Sequence, residues 1–410
     1  MRILLIHQYF LEKNEHGGYR WNEFTRMWVN AGHDVSVIAG MMHYNGSGKR
    51  EQYKGKYFVK TEQDGIKILR THVSEAYNRN FIGRLWGYFS FMFSSTIGGL
   101  FYLNQPYDIV IVTSPPLFVG ISGYLLSRFK RKPLVMEIRD LWPESAIDTG
   151  ILKSRFLIKV AYWVEAFLYK KSHKINVLTP AFRKTLIKAK HVPASKILYI
   201  PNAADFSISE SLLKTFDVQQ FRRQLGWEDK FVITYVGAHG VANALDQVLE
   251  TAMLLKDTPV LFALIGEGMQ KLQLKEKACD MALTNVVFFD PVPKNEVFKY
   301  ILASQMGASV LQRNDTFKTV YSNKTFDYMS CKKPILMAID GVSRELVEEA
   351  KAGVFVEPEN PADFAAKVSI LMADPVKLHE FGENGYAYAK KNFDRMNLAK
   401  TFINELEVIK

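Results

Sequence analysis

A cation and a carboxylate stand one helical turn apart near the start of a short helix predicted in the second half of the chain. Ser322 and Asn323 favour the N-cap position, so Lys324 is expected in the first turn. The free N–H groups and positive dipole end of such a helix attract anions, most often phosphate. Asp327 follows three residues later on the same face. The pattern predicts a nucleotide-sugar site, with the diphosphate on the amides and Lys324 and the ribose hydroxyls on Asp327. The alternative is an ordinary capped surface helix.

Loops that contain glycine follow several predicted strands, and glycine lets the backbone approach a ligand closely. Gly17 and Gly18 come after the first strand and before a helix that carries Arg20. The first strand of the second half is followed by a loop at 236–240 (VGAHG), and the next strand by one at 265–268 (IGEG). The first of these two loops suits phosphate binding by amides at a helix start. A plain tight turn is the alternative at each place.

Apolar segments alternate with helical stretches along the whole chain, which predicts parallel sheets covered by helices on both sides. In the first half, strands are predicted at 2–8, 34–39, 108–113, 134–138, 175–178 and 197–200, with a hairpin over 57–73. In the second half, strands are predicted at 231–236, 260–265, 286–289, 308–311, 335–338 and 354–356. The pattern therefore predicts an α/β protein of two doubly wound domains that bind ligands at the carboxyl ends of their strands.

Length, composition and charge restrict the class of protein. A chain of 410 residues with 48% apolar and 23% charged residues is typical of a globular protein with more than one domain. Residues 1–205 carry 29 Lys and Arg against 15 Asp and Glu, whereas the remainder carries 24 against 27, so the first half is expected to meet an anionic partner. Nucleic acid is disfavoured, because no helix-turn-helix, RNP-type or zinc pattern occurs. With only two cysteines and no His-rich cluster, we expect a reducing cytosol and no metal site.

Two segments bear on contact with a membrane. The segment 85–107 contains no charged residue, but its Ser, Thr, Gly and Asn residues favour a helix buried against the sheet, or one lying in the membrane interface, over a spanning helix. A basic cluster with two aromatic residues is expected to form either a membrane-surface face or a solvated helix face. Its members are Trp163, Tyr169, Lys170, Lys171, Lys174, Arg183, Lys184, Lys188 and Lys190.

The segment around Lys324 resembles the donor-site segment of retaining glycosyltransferases of family 4, which have the GT-B fold of two Rossmann-like domains facing across a cleft. In that family a Pro-Ser-Lys-like turn is followed three residues later by an acid, often with a Glu eight positions before that acid. Here those two positions hold Asp327 and Thr319. The resemblance covers nearly the whole chain. It implies an N-terminal acceptor-binding domain over 1–202, a nucleotide-sugar-binding domain over 203–385, and a C-terminal helix within 386–410 that crosses back to the first domain.

The resemblance also implies roles for individual residues. The strand end at 137–145 (EIRDLWPES) resembles the subgroup that builds bacterial surface polysaccharides, including the N-acetyl-L-fucosamine transferases of O-antigen synthesis. Asp140 would polarise the acceptor hydroxyl or take its proton, held by Arg139 or Glu144. The implied catalytic residues are Asp140, Arg139 and Lys324. The implied donor-binding residues are Gly17, Gly18, Arg20, Gly237, His239, Gly240, Asn243, Gly266, Gly268, Val292, Asn323, Lys324 and Asp327.

These features lead us to expect a retaining, metal-independent glycosyltransferase without a cofactor. The donor is expected to be a UDP-sugar, with an N-acetylated deoxy-hexosamine as the sugar. The acceptor is expected to be a polyprenyl-diphosphate-linked saccharide in O-antigen or capsule synthesis. The basic first half would meet the lipid diphosphate and the inner face of the bacterial plasma membrane, which implies a cytoplasmic, peripheral protein. The alternatives are a UDP-sugar 2-epimerase of GT-B fold and a non-catalytic glycosyltransferase-like partner subunit, which Thr319 leaves open.

Overall fold

The computed structural model describes residues 1–13, 15, 19–43, 48–78, 81–148, 150 and 152–409. The chain divides into two compact units. The first unit comprises Met1–Pro201 together with Met396–Lys410, and the second comprises Asn202–Arg395. Residues 386–395, which were expected to belong with the returning helix, lie in the second unit.

An eight-stranded sheet forms the centre of the first unit. Its strands are β1 (Arg2–Ile6), β2 (Asp34–Gly40), β3 (Phe58–Gln63), β4 (Ile66–Thr71), β5 (Ile109–Ser114), β6 (Leu134–Ile138), β7 (Lys174–Val177) and β8 (Ile197–Tyr199). They lie in the order β3-β4-β2-β1-β5-β6-β7-β8, and only the β3–β4 hairpin is antiparallel. The inner strands are apolar along their whole length because helices cover both faces of the sheet. The order reverses between β1 and β5, which places a ligand-binding crevice at the carboxyl ends of these two strands.

Helices cover both faces of this sheet. They are α1 (Arg20–Asn30), α2 (Phe81–Phe101), α3 (Val119–Lys130), α4 (Glu144–Asp148), α5 (Arg155–Lys171) and α6 (Pro180–Lys188). Helix α1 packs Trp21, Phe24 and Trp28 against the sheet. Helix α2, in the uncharged segment, contacts β2, β4 and α3. In the part of the chain that the structure describes, no helix is long and apolar enough to cross a membrane.

The second unit contains a six-stranded sheet in which every neighbouring pair is parallel. Its strands are β9 (Phe231–Val236), β10 (Val260–Ile265), β11 (Val286–Phe289), β12 (Met306–Val310), β13 (Ile335–Ala338) and β14 (Gly353–Phe355). The order β11-β10-β9-β12-β13-β14 is that of a Rossmann sheet, with the reversal between β9 and β12. All predicted strands of both units agree with the structure to within two residues at either end.

Apolar clusters fill both faces of the second sheet. The helices of this unit are α7 (Phe206–Thr215), α8 (Val218–Gln224), α9 (Asp246–Leu254), α10 (Lys271–Asp280), α11 (Lys294–Ala303), α12 (Asn323–Ser330), α13 (Val342–Glu349), α14 (Pro361–Met372) and α15 (Pro375–Asn392). The last helix, α16 (Arg395–Glu407), packs Phe402 and Leu406 among the apolar residues of α1 in the first unit. The predicted class, two Rossmann-like α/β domains with parallel sheets, is therefore confirmed.

Candidate active site

The reversal of strand order in the second unit determines where its ligand site lies. The chain leaves the carboxyl end of β9 into a loop that begins at Gly237 and leaves β12 into the segment that leads to α12. Because β9 and β12 are neighbours, the β9 loop and the first turn of α12 meet at the same edge of the sheet. This is where Lys324 lies.

Lys324 points from the first turn of α12 toward the β9 loop. Its Nζ lies 4.8 Å from the centroid of the Tyr235 ring. A methyl group at Gly237 would lie 3.4 Å from the Cε atom of Lys324, so glycine leaves room for this side chain. Within the described residues, the Lys324 ammonium has no carboxylate partner. Burial lowers the pKa of Lys324 to about 8, against the opposing effect of Asp327. A half-buried cation without an anion is suited to bind one.

The first turn of α12 has no side-chain cap. Ser322 occupies the N-cap position, as predicted, but its hydroxyl donates to Ser309 Oγ at 3.3 Å and does not cap the helix. The Asn323 side chain turns away, accepting a hydrogen bond from Asn202 Nδ2 at 2.6 Å. The N–H of Ser322 donates to Ser343 Oγ and that of Thr325 to the Ser322 carbonyl, both at 3.1 Å. The N–H groups of Asn323 and Lys324 stay available to an anion beside the Lys324 ammonium, which is the geometry expected of a phosphate site.

Asp327 is half-buried one turn along α12, on the same side as Lys324. No ion pair joins these two side chains. Burial raises the pKa of Asp327 to about 6. Lys294 opposes this rise, and Asp205, which forms a 2.7 Å ion pair with Lys294, adds to it. The carboxylate is ionised at neutral pH and can accept hydrogen bonds from ligand hydroxyls.

His239, in the β9 loop, is fully buried, and neither ring nitrogen has a hydrogen-bond partner among the described residues. The rings of Tyr235 and Phe288 lie 6.0 and 6.1 Å from it. Burial, with help from Lys271, lowers the pKa of His239 to about 4. His239 is therefore neutral at physiological pH. It brings no positive charge to the β9 loop.

The glycines after β10 hold two loops together. A Cβ atom at Gly266 would lie 1.9 Å from the Gly237 carbonyl oxygen, and one at Gly268 would lie 2.3 Å from the His239 carbonyl oxygen. The same loops are joined by the hydrogen bond from Gly237 N–H to the Ile265 carbonyl at 3.0 Å. Gly266 and Gly268 thus act by shaping the β9 loop, which is an indirect role in ligand binding.

Asn243, Val292 and Thr319 lie on three other segments of the second unit. Asn243 N–H donates to the Gly240 carbonyl at 2.9 Å, in a 3₁₀ turn that closes the β9 loop. Val292, after β11, is half-buried against the apolar cluster of this unit. Thr319 lies on a 3₁₀ turn, and its hydroxyl donates to the Thr316 carbonyl at 2.7 Å.

In the first unit, Asp140 ends β6 and is half-buried. Burial raises its pKa, while hydrogen bonds from the Ser145 hydroxyl and the Leu141 N–H oppose the rise. Arg139 is also half-buried and forms no ion pair among the described residues. His7 follows β1 at the strand reversal and is almost fully buried; burial lowers its pKa well below the ordinary value, and the charge of Arg139 adds to this. Sequence reasoning missed His7, although a titratable residue directly after the first buried strand was a visible signal.

Arg20, which was expected to contact the donor diphosphate, forms its described contacts within the first unit. Its guanidinium is buried, and its Nη2 forms a 3.0 Å ion pair with Glu137 Oε2. The same group donates to the carbonyls of Ile200, at 2.7 Å, and Pro201. Asn176 Nδ2 donates to Glu137 at 2.9 Å, which completes a buried network at the sheet edge. Arg20 is a structural residue of the first unit.

Three further expectations concern the first unit. Gly17 and Gly18 lie outside the described residues. Glu144 pairs with Lys190, and its charge adds to the rise in the pKa of Asp140 that burial causes. Lys190 also pairs with Glu165 at 2.7 Å, and Tyr169 is buried, so these two members of the predicted basic cluster do not face solvent. Among the described residues, no group of three or more His, Cys, Asp and Glu side chains is arranged to hold a metal ion.

The two units match two domain families. Residues 17–203 match the glycosyl transferase 4-like domain, and residues 217–388 match glycosyl transferases group 1. The chain is therefore an enzyme, a glycosyltransferase of the GT-B type.

Two bacterial glycosyltransferases are similar to this chain over most of its length. The chain is similar to the putative colanic acid biosynthesis glycosyl transferase WcaI of Escherichia coli K12, with 25% identity over 386 residues, 92% of this chain and 93% of WcaI. It is also 22% identical to the probable glycosyltransferase WbjE of Pseudomonas aeruginosa, over 63% of this chain and 64% of WbjE. Among solved structures, Anabaena HepE in complex with UDP has a TM-score of 0.72 at 16% identity, with both chains covered completely. This last similarity supports the fold.

Proposed function

We propose that this glycosyltransferase transfers a sugar from a UDP-sugar to a polyprenyl-diphosphate-linked saccharide during the synthesis of a bacterial surface polysaccharide. The observation that carries the proposal is the unpaired ammonium of Lys324 at the uncapped start of α12. Support for UDP comes from HepE, whose structure contains it. Support for polysaccharide synthesis comes from the similarity to WcaI. The O-antigen or capsule assignment, and an N-acetylated deoxy-hexosamine as the transferred sugar, belong to the same proposal.

The leaving group is stabilised at α12. As the bond between the anomeric carbon and the phosphate oxygen breaks, negative charge develops on the diphosphate. Lys324 and the free N–H groups of the first turn meet that charge without reorganising. Asp327 accepts hydrogen bonds from the ribose hydroxyls and so fixes the register of the nucleotide. No metal ion or cofactor takes part in this scheme.

Asp140 of the first unit acts on the acceptor. Its raised pKa makes the carboxylate a stronger base than an exposed aspartate, so it can polarise the acceptor hydroxyl and receive its proton. The acceptor oxygen bonds to the anomeric carbon, and the transfer retains the anomeric configuration. Burial raises the pKa of Asp140, and the charge of Arg139 opposes that rise, as the hydrogen bonds from Ser145 and Leu141 also do.

A product assay tests the proposal. The protein is incubated with a panel of UDP-sugars and a polyprenyl-diphosphate-linked saccharide, and the products are analysed by mass. Release of UDP with a mass increase of one sugar on the lipid supports it. A UDP-sugar that changes only its stereochemistry at C2 would instead identify a 2-epimerase. The lack of any turnover with UDP binding intact would favour a partner-subunit role.

A cytoplasmic, peripheral location on the inner face of the plasma membrane follows from this acceptor. The substrate's diphosphate is tethered to the bilayer, so an enzyme that works on it gains by residing at the lipid surface. The excess of Lys and Arg in residues 1–205 suits an anionic surface.

A further inference from the structure

Helix α2 exposes an apolar stripe to solvent. Trp86, Phe93, Ile97 and Phe101 are spaced by seven, four and four residues, so they lie on one side of the helix. Phe101 is 70% exposed. The opposite side of α2 packs on the sheet and on α3, where Ser95 and Ser122 share a 2.8 Å hydrogen bond. A helix that is already packed on one side has no structural need for large apolar residues on the other.

Helix α5 exposes a second stripe that combines aromatic and basic residues. Its exposed positions are Phe156, Lys159, Trp163, Ala166 and Lys170, at spacings of three and four. Trp163 is 67% exposed, and its ring stacks on Phe167 with the centroids 5.9 Å apart. The stripe therefore has the composition of a helix surface that lies in a membrane interface.

Helix α3 joins the two stripes into one surface. It contacts both α2 and α5, and the Tyr124 and Phe167 rings meet edge to face at 4.9 Å across the α3–α5 boundary. Phe129, at the carboxyl end of α3, is exposed. It lies close to the end of α2, since its neighbour Lys130 donates a hydrogen bond to the Leu103 carbonyl at 2.7 Å. The α2–α3–α5 surface thus carries exposed large apolar residues on all three helices, which is unusual for a monomeric soluble protein.

Exposed charges within the segments that carry α2, α3 and α5 are mainly positive. Exposed cations occur at Arg128, Arg131, Lys153, Arg155, Lys159, Lys170 and Lys171. The acidic residues of the segments 81–132 and 152–171 are Asp108 and Glu165, and both are buried. Exposed carboxylates lie outside these segments, at Glu75 in a turn that contacts α2 and at Asp148 before α5. Along α3 and α5 the exposed apolar side chains are flanked by cations, which complements the acyl boundary and anionic headgroups of a bilayer.

We propose that the α2–α3–α5 surface is the site through which this enzyme docks on an anionic lipid bilayer. The proposal rests on the membrane-linked acceptor proposed above and names the surface that meets the membrane. It differs from the basic cluster expected from the sequence, because Lys190 and Tyr169 of that cluster are held inside the unit. Trp86, Phe93, Phe129, Phe156 and Trp163 enter the interface, and the flanking cations contact the headgroups.

Vesicle binding by the full chain tests this surface. We expect co-sedimentation with vesicles of phosphatidylcholine and phosphatidylglycerol, weaker binding to phosphatidylcholine alone, and further weakening by salt. Lys159→Glu combined with Lys170→Glu should weaken binding to the anionic vesicles by about tenfold or more. Phe93→Ala combined with Trp163→Ala should weaken binding to both kinds of vesicle. Brominated lipids should quench tryptophan fluorescence in the wild type and less in the Trp163 variant.

Matched controls and a second readout make the result decisive. Lys256→Glu and Ile370→Ala change an exposed cation and an exposed apolar residue of the second unit, and should leave vesicle binding unchanged. UDP binding is measured separately on every variant. A protein that does not bind UDP would contradict the proposed transferase site, whereas vesicle binding tests the α2–α3–α5 surface. The inference would be overturned if the wild-type protein did not co-sediment with anionic vesicles. An oligomer in solution that dissociates in the Phe93 and Trp163 variant would also overturn it, since the surface would then join two copies.

Discussion

Lys324 Nζ lies 4.8 Å from the centroid of the Tyr235 ring, beside Gly237, which follows β9. The ring supplies a weak attraction for the cation, worth about 0.5–2 kcal/mol, and leaves the ammonium without a counter-ion. This contact fixes the side chain near the uncapped start of α12 before any ligand arrives. Preorganised charge of this kind costs no rearrangement when the diphosphate binds.

The pKa values of Asp327 and Lys324 predict that UDP affinity has a bell-shaped dependence on pH. The pKa of Asp327 is raised to about 6, so its carboxylate is lost as pH falls through that value. The pKa of Lys324 is lowered to about 8, so its charge is lost as pH rises through that value. Calorimetric titration with UDP across this range should show weaker binding on both sides. The Asp327→Asn variant should no longer lose UDP affinity at low pH, and the Lys324→Arg variant should no longer lose it at high pH. A wild-type UDP affinity that does not change with pH would contradict the assignment of these two residues to the UDP site.

Gly237→Ala should weaken UDP binding through Lys324. Gly237 has a φ of 142°, and a methyl group there would press on the lysine side chain at 3.4 Å. Gly226→Ala is the matched control, since Gly226 also has a positive φ, of 67°, but a methyl group there would meet nothing within 4 Å. Backbone strain should lower the stability of both variants by roughly 1 kcal/mol. Equal UDP affinity in the two variants would argue that Lys324 does not need this space.

Asp140→Asn should slow sugar transfer while leaving UDP affinity unchanged. The amide keeps the shape of the side chain but cannot receive a proton, so a loss of roughly a hundredfold in kcat is expected for a general base. Transfer rates and UDP dissociation constants are measured on the same preparation. Losses of similar size in both quantities would place Asp140 outside the acceptor chemistry.

Arg20→Met should destabilise the first unit. The variant leaves the Glu137 carboxylate buried without its partner, which typically costs about 3–5 kcal/mol. Chemical denaturation followed by tryptophan fluorescence reports the change. Adding Glu137→Leu should recover part of the lost stability, because no charge then remains buried. If the Arg20→Met variant were as stable as the wild type but bound UDP more weakly, Arg20 would instead have a role in donor binding.

Local pattern was enough to predict the strands. β9, β10 and β11 begin and end where their apolar segments do, because each segment is bounded by polar or turn-forming residues. The arrangement of each unit, a sheet between two layers of helices, follows from strands that are apolar on both sides. The position of Lys324 could also be inferred, since a cation in the first turn of a helix is unusual without an anion nearby.

Other contacts of the candidate site residues could not be predicted, because they involve residues far away in sequence. Arg20 pairs with Glu137, which lies 117 residues later, and no local signal indicates that the two meet. His239 is buried by Phe288 from another strand, so its neutral state could not be inferred from its loop. The burial of Tyr169 and the ion pairs of Lys190 likewise depend on how α5 packs.

The most direct test of the account is a calorimetric titration of Lys324→Ala with UDP at neutral pH. Loss of a charge-assisted contact to phosphate, worth about 1.5–3 kcal/mol, should weaken binding by roughly tenfold to a hundredfold. Lys256→Ala, at an exposed position of the same unit, should bind as the wild type does. A Lys324→Ala protein that is folded and binds UDP with unchanged affinity would contradict the central claim that the start of α12 holds the donor diphosphate.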